Sequence, residues 1–174
     1  GGKNAFDKYL IKNIDGVKVG VFGLATPETA YKTNPKNVAG LDFGDKESLI
    51  ATAQQMVDEL QERDCDVIIA LCHLGVDPTS DIKSTDIANA VEGIDLIIDG
   101  HSHTELDNYK VGDTYIASTG NYLENVGMVT IKVKDGEVLS VEPKLYSAKE
   151  LKNFPEDSKV KAIVDRIDEN QKSI

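Results

Sequence analysis

The 174-residue chain contains three histidines, His73, His101 and His103, and sets them beside two short apolar runs. One run ends Leu71-Cys72-His73-Leu74-Gly75, the other Ile98-Asp99-Gly100-His101-Ser102-His103-Thr104. Neutral imidazole is a ligand for Zn, Mn, Fe or Ni, and histidines spaced i, i+2 in an extended turn project to a common side. Two imidazoles from one turn and a third from a neighbouring strand end can therefore converge. Three protein ligands plus water make an open metal site, the catalytic rather than the structural type. The nearby carboxylates Asp77 and Asp99 can accept an imidazole N–H and fix its tautomer. Against this stands a plainer reading: a histidine at a strand end is ordinarily a satisfied surface side chain, and Asp77 and Asp99 ordinary turn and cap residues. Gly44-Asp45 and Gly112-Asp113 look like the Gly-Asp of many metal sites, but they fall in a helix cap and a hairpin turn and read as structural.

The elements that must position these residues alternate between strand and helix. Tyr9–Ile14 and Val17–Leu24 flank Asp15-Gly16, a two-residue hairpin signal. Residues 26–44, with their Pro and Asn, read as a long loop. Asp45 is a candidate N-cap for a helix over 46–63, with Leu49, Ile50, Ala53, Met56, Val57 and Leu60 at helical spacing. Val67–Leu71 and Ile94–Ile98 are continuous apolar runs of the kind buried on both faces of a sheet, and a short helix over 84–91 between them completes a βαβ unit. All three histidines thus fall just past strand C-termini, the crevice where open α/β sheets gather ligands. Gly112-Asp113 and Asp135-Gly136 then mark two antiparallel hairpins, and an amphipathic helix over 155–171 carries Val160, Ile163, Val164 and Ile167 on one stripe.

Composition excludes several classes of function. With 19 Lys+Arg against 30 Asp+Glu the formal net charge is −11, which argues against a nucleic-acid backbone or an anionic membrane as an electrostatic partner. The 40% apolar fraction excludes a disordered chain. No apolar run approaches the ~20 residues that span a bilayer. Cys65 and Cys72 lie in or beside an apolar run and read as small hydrophobes. The chain opens Gly1-Gly2-Lys3 without Met, so the lack of a leader says nothing about compartment.

The runs 66–75 and 93–104, with Val17 to Thr29 before them and Gly120-Asn121-Tyr122 and Val126-Gly127 after them, resemble the calcineurin-like metallophosphoesterases. The similarity is strongest to their 5′-nucleotidase and 2′,3′-cyclic-nucleotide 2′-phosphodiesterase branch, and it extends over nearly the whole chain. The resemblance implies an α/β layered αββα sandwich. It implies a secreted, periplasmic or cell-surface hydrolase acting on a nucleotide or other phosphate ester through water activated by two divalent ions, Zn, Mn or similar. Carried onto this sequence, His73 and His101 hold one ion and His103 the other, with Asp77, Asp99 and Asn121 in support.

The departures from the family pattern matter equally. The family's amino-terminal half supplies an Asp-x-His, a Gly-Asp whose carboxylate bridges the metals, and an Asn-His. Here no His follows Asn, and the single Asp-x-His is Asp99-Gly100-His101 itself. The family's carboxy-terminal base-selecting domain is likewise expected to lie outside these residues. Residues 3–174 are therefore expected to be the C-terminal half of a catalytic domain, with Gly1 and Gly2 set aside as a tag remnant. The expected partners are the missing N-terminal half, or a second copy through dimerisation or strand exchange. No catalytic residue is assigned within this chain, which alone is expected to bind metal weakly and to hydrolyse phosphate esters negligibly. Two other readings stand beside this one: a non-catalytic metal- or partner-binding module, and a metallophosphoesterase with a non-nucleotide substrate.

Overall fold

Asp15 and Gly16, at φ 52° and 92°, form the turn that joins β1 (Tyr9–Ile14) to β2 (Val17–Ala25) as an antiparallel hairpin. The structure, a computed structural model, describes residues 7–172. The assignment of Gly1 and Gly2 and the start of the unit at Lys3 lie outside those residues. The 26–44 segment is more ordered than its composition suggests. It holds one helical turn, α1 (Thr29–Lys32), and a 3-10 turn at 35–37 that Asn34 caps and Pro35 opens. Proline fits the first helical position, where no N–H is needed, so the same residue that signals a loop starts a turn of helix.

Helix α2 (Lys46–Gln61) begins where its cap was expected. The Asp45 carboxylate accepts the Ser48 N–H at 2.9 Å, and the Ser48 hydroxyl oxygen accepts the Asp45 N–H at 2.8 Å. The helix buries Leu49, Ala53, Met56, Val57 and Leu60. Gly20 lets it sit tightly on β2, because a Cβ there would lie 2.8 Å from Leu60 Cδ2. The two apolar runs form β3 (Val67–His73) and the three-residue β4 (Leu96–Ile98), parallel neighbours linked by α3 (Ser84–Ala90). A hairpin of β5 (Glu105–Val111) and β6 (Thr114–Thr119) completes a six-stranded mixed sheet of order β1-β2-β3-β4-β6-β5. A second hairpin, β7 (Asn125–Lys134) and β8 (Glu137–Ser147), is a separate two-stranded sheet.

The layers follow from strand alternation. Ile68, Ala70 and Cys72 of β3 enter one core with Phe22, Ile97, Ile116 and the residues of α2 and α3. Burial drives the Cys72 thiol pKa up, so it stays protonated and acts as a hydrophobe. Ile69 and Leu71 point to the opposite face, which the β7–β8 sheet covers in part. An apolar cleft of about 580 Å³ separates Val19, Val67 and Ile69 from Val129, Ile131 and Val133. The architecture is α/β and layered, with two strands in the second sheet among the described residues. After the single turn α4 (Ala148–Leu151), α5 (Ser158–Lys172) forms as its periodicity predicts, yet buries no residue. Its Val160–Ile167 stripe stays about half exposed.

Candidate functional site

His73 is the last residue of β3, and His101 and His103 lie in the loop that leaves β4. Asp99 holds the two loops side by side. One carboxylate oxygen accepts the N–H groups of Leu74 (3.0 Å), Gly75 (3.2 Å) and Gly100 (2.8 Å), and the other accepts the Ser84 hydroxyl. Gly75 permits the approach: its φ is 72°, and a Cβ there would lie 2.8 Å from Ser102 Cβ and 2.9 Å from Ser102 N. The Val76 N–H then donates to Ser102 Oγ at 3.2 Å.

The 100–104 loop is not extended, as the i, i+2 argument assumed. His101 and His103 have φ of 73° and 54°. Non-glycine residues in this left-handed region cost about 1–3 kcal/mol each, and they persist where the surroundings over-determine them, often at functional sites. The consequence is a split. The His73 and His101 rings meet edge to face with centroids 5.0 Å apart. His103 instead faces Tyr122, at 6.0 Å between centroids, with Asn121 Nδ2 3.4 Å from its Nδ1. Asp77 turns away onto Thr79, accepting its N–H at 2.9 Å and its hydroxyl at 2.8 Å. Among the described residues, none of the hydrogen bonds of Asp77 or Asp99 reaches an imidazole.

The carboxylate that does reach one went unnoticed in the sequence. Glu28, 2% exposed, places Oε2 at 2.7 Å from His101 Nε2 and 2.7 Å from Lys32 Nζ, while Oε1 accepts the Asp81 N–H at 3.3 Å. Lys32 is the largest influence on Glu28. Together with His101 and the Asp81 N–H it outweighs burial and holds the carboxyl at about 2, so Glu28 is ionised at neutral pH. The available signal was positional: Glu28 follows β2 directly, at the same sheet edge as the histidines. With residues 26–44 read as a loop, nothing local marked Glu28 as buried.

Imidazole nitrogen is suitable donor chemistry for a divalent transition metal, and two of the three rings converge. Among the described residues, however, no three His, Cys, Asp or Glu groups close around one point. The set fits as a share of a metal centre and does not make a complete cage.

No family model matches the chain. The trifunctional nucleotide phosphoesterase protein YfkN of Bacillus subtilis is 34% identical over 139 residues, covering 77% of this chain and 9% of its own length. A 5′-nucleotidase of Vibrio cholerae is 29% identical over 164 residues, covering 79% of this chain and 29% of its own. Among solved structures, the calcineurin-like phosphoesterase YfkN from Bacillus subtilis matches 97% of this chain and 59% of its own, with a TM-score of 0.78 at 21% identity. The chain belongs to the calcineurin-like phosphoesterase and 5′-nucleotidase family. The family fold extends to the sulfate thiohydrolase SoxB of Thermus thermophilus, with a TM-score of 0.77 at 21% identity over 94% of this chain and 29% of that one. This family member spans 9% and 29% of the lengths of these two sequence relatives.

Proposed function

We propose that this chain carries the imidazole share of a metal-dependent nucleotide phosphohydrolase of the 5′-nucleotidase or 2′,3′-cyclic-nucleotide phosphodiesterase type. The observation that carries the reading is the pairing of His73 with His101 at adjacent strand ends, locked by Asp99 and Gly75, in a chain related to nucleotide phosphoesterases. In this reading His73 and His101 hold one divalent ion, and His103, steadied by Asn121, serves a second. When bound, such ions supply Lewis acidity for the phosphoryl oxygens and for the attacking water. The chain's own residues do the positioning. Asp99 fixes the spacing of the two loops, and the left-handed backbone at His101 and His103 sets the directions of their rings.

The other ligands come from chain beyond the residues at hand, so the isolated 174 residues bind metal weakly and turn over phosphate esters negligibly. The open apolar cleft between the sheets supports that reading, since it is a surface for further structure to cover. By family resemblance the whole protein works outside the cytoplasm. Among the described residues no helix is long and apolar enough to cross a membrane.

The test is substrate profiling of the full-length gene product with Mn²⁺ or Zn²⁺. A 5′-nucleotide or a nucleoside 2′,3′-cyclic phosphate should be hydrolysed in preference to glycerol phosphate or thiosulfate esters. Equal rates on all four would remove the nucleotide assignment. Hydrolysis by the isolated chain at the full-length rate would remove the idea of a shared site.

A further inference from the structure

Three hydrogen bonds to one carboxylate fix the state of a ring on which the proposed site depends. Lys32 Nζ, 2.7 Å from Oε2, and the Asp81 N–H, 3.3 Å from Oε1, can only donate, so both oxygens of the Glu28 carboxylate are set as acceptors. Oε2 lies 2.7 Å from His101 Nε2, and that nitrogen must therefore be the donor and carry the proton. In a neutral imidazole the other nitrogen, Nδ1, is then a bare lone pair. Lys32 and the Asp81 N–H hold the carboxylate from two further directions. With its own side chain 2% exposed, Glu28 has no solvent route to another arrangement.

From this geometry we infer that Glu28 is a positioning residue for His101, fixing it as the Nε2–H tautomer so that Nδ1 is the only atom the ring offers a ligand. The inference deepens the reading of His101 given above and rests on it for the identity of that ligand. It also accounts for a buried acid that no packing requirement explains. Glu28 is a buried carboxylate, and such a group is kept inside only where hydrogen-bonding partners meet it. A carboxylate behind an imidazole raises the basicity of the free nitrogen and restricts the ring's rotation, and loss of such a partner costs about 10–100-fold in metal affinity.

The experiment uses the 174-residue chain with ¹⁵N-labelled histidine, at about pH 8, above the ordinary imidazole range. Long-range ¹H–¹⁵N correlation should show His101 as a single tautomer with the proton on Nε2, rather than the averaged pattern of a free imidazole. A proton on Nδ1, or averaging, overturns the inference. On addition of Zn²⁺ the Nδ1 resonance should move while the Nε2 proton is retained; loss of the Nε2 proton to the metal would equally overturn it.

Glu28→Ala should average the tautomers and weaken Zn²⁺ binding about 10-fold or more. Glu28→Gln, which keeps an acceptor oxygen and the side-chain volume, should fall in between and covers the case in which the alanine variant fails to fold. Wild-type tautomer and affinity in a natively folded Glu28→Gln and Glu28→Ala pair would refute the positioning role. If the wild-type chain shows the single tautomer and takes up no Zn²⁺ at all, the positioning inference holds and the metal reading of the site fails, so the two are distinguishable.

Discussion

Gly75 is where backbone, loop contact and site geometry meet in one residue. Its φ of 72° and the 2.8 Å that a Cβ would leave to Ser102 mean that a methyl must push the 74–76 and 100–104 loops apart. Gly75→Ala should cost about 1–3 kcal/mol of stability. It should also break the edge-to-face contact of His73 with His101, read as a change in their ring resonances alongside urea unfolding. Native ring shifts in that variant would show that the loops are held some other way. Asp95 carries a pH prediction. Burial raises its carboxyl pKa, and the Ile68 N–H, donating at 2.7 Å, opposes the rise without cancelling it. A folded-state pKa above the unfolded one means the native state binds the proton more tightly, so this group's contribution is largest in acid. It is lost as pH climbs through the unfolded value of about 3.8 towards the raised native one. Asp95→Asn should remove that component, so the difference in stability between variant and wild type should shift in the variant's favour from acid to neutral pH; an unchanged difference in urea titrations contradicts the assignment. At this scale the histidines were legible because their type and place announce chemistry. Glu28 was not, because one glutamate in a Pro-containing loop carries no mark of burial until tertiary structure brings His101 to it.

Elements were legible wherever local chemistry decided them. The Asp45 cap, the Asp15-Gly16 turn and the two parallel runs all lie where backbone requirements and hydrophobic spacing place them. Leu60 of α2, fully buried and in the space that Gly20 leaves open, is the strongest test of the helix layer. Leu60→Ala should destabilise by about 2–5 kcal/mol through lost burial and the cavity left behind, measured by denaturant unfolding. A cost under about 1 kcal/mol would mean that α2 packs elsewhere. Helix α5 shows the opposite limit. Its stripe of Val160, Ile163, Val164 and Ile167 predicts a helix correctly but says nothing about what it packs on, and here all four remain exposed. Paired Ile163→Ser and Val164→Ser changes should therefore leave the unfolding midpoint of the body unchanged, while a clear drop would reveal packing of α5 against it. The 100–104 loop was misjudged for a local reason. Left-handed φ at His101 and His103 is uncommon for any non-glycine residue, and no local sequence pattern announces it.

As a whole the molecule has a well-formed core, while at the proposed site two imidazoles meet and no closed set of ligands forms among the described residues. Its helix-facing core is closed, yet the other face of the main sheet leaves Leu71 and Ile98 open and an apolar cleft beneath β7–β8. Exposed apolar surface of this kind drives association. The isolated chain should self-associate in sedimentation, or bind a hydrophobic dye until it meets the remainder of the protein, and a monodisperse, dye-silent monomer would contradict the picture. The net charge of −11 fits a protein that meets phosphate through bound cations rather than through Lys and Arg. The central claim is that His101 belongs to the reacting site of a nucleotide phosphohydrolase. The most direct measurement is turnover of a 5′-nucleotide by the full-length gene product with Mn²⁺, wild type against His101→Ala. The account predicts a loss greater than the roughly 10–100-fold that removal of a supporting partner costs, with the fold intact. Turnover unchanged by His101→Ala would contradict it.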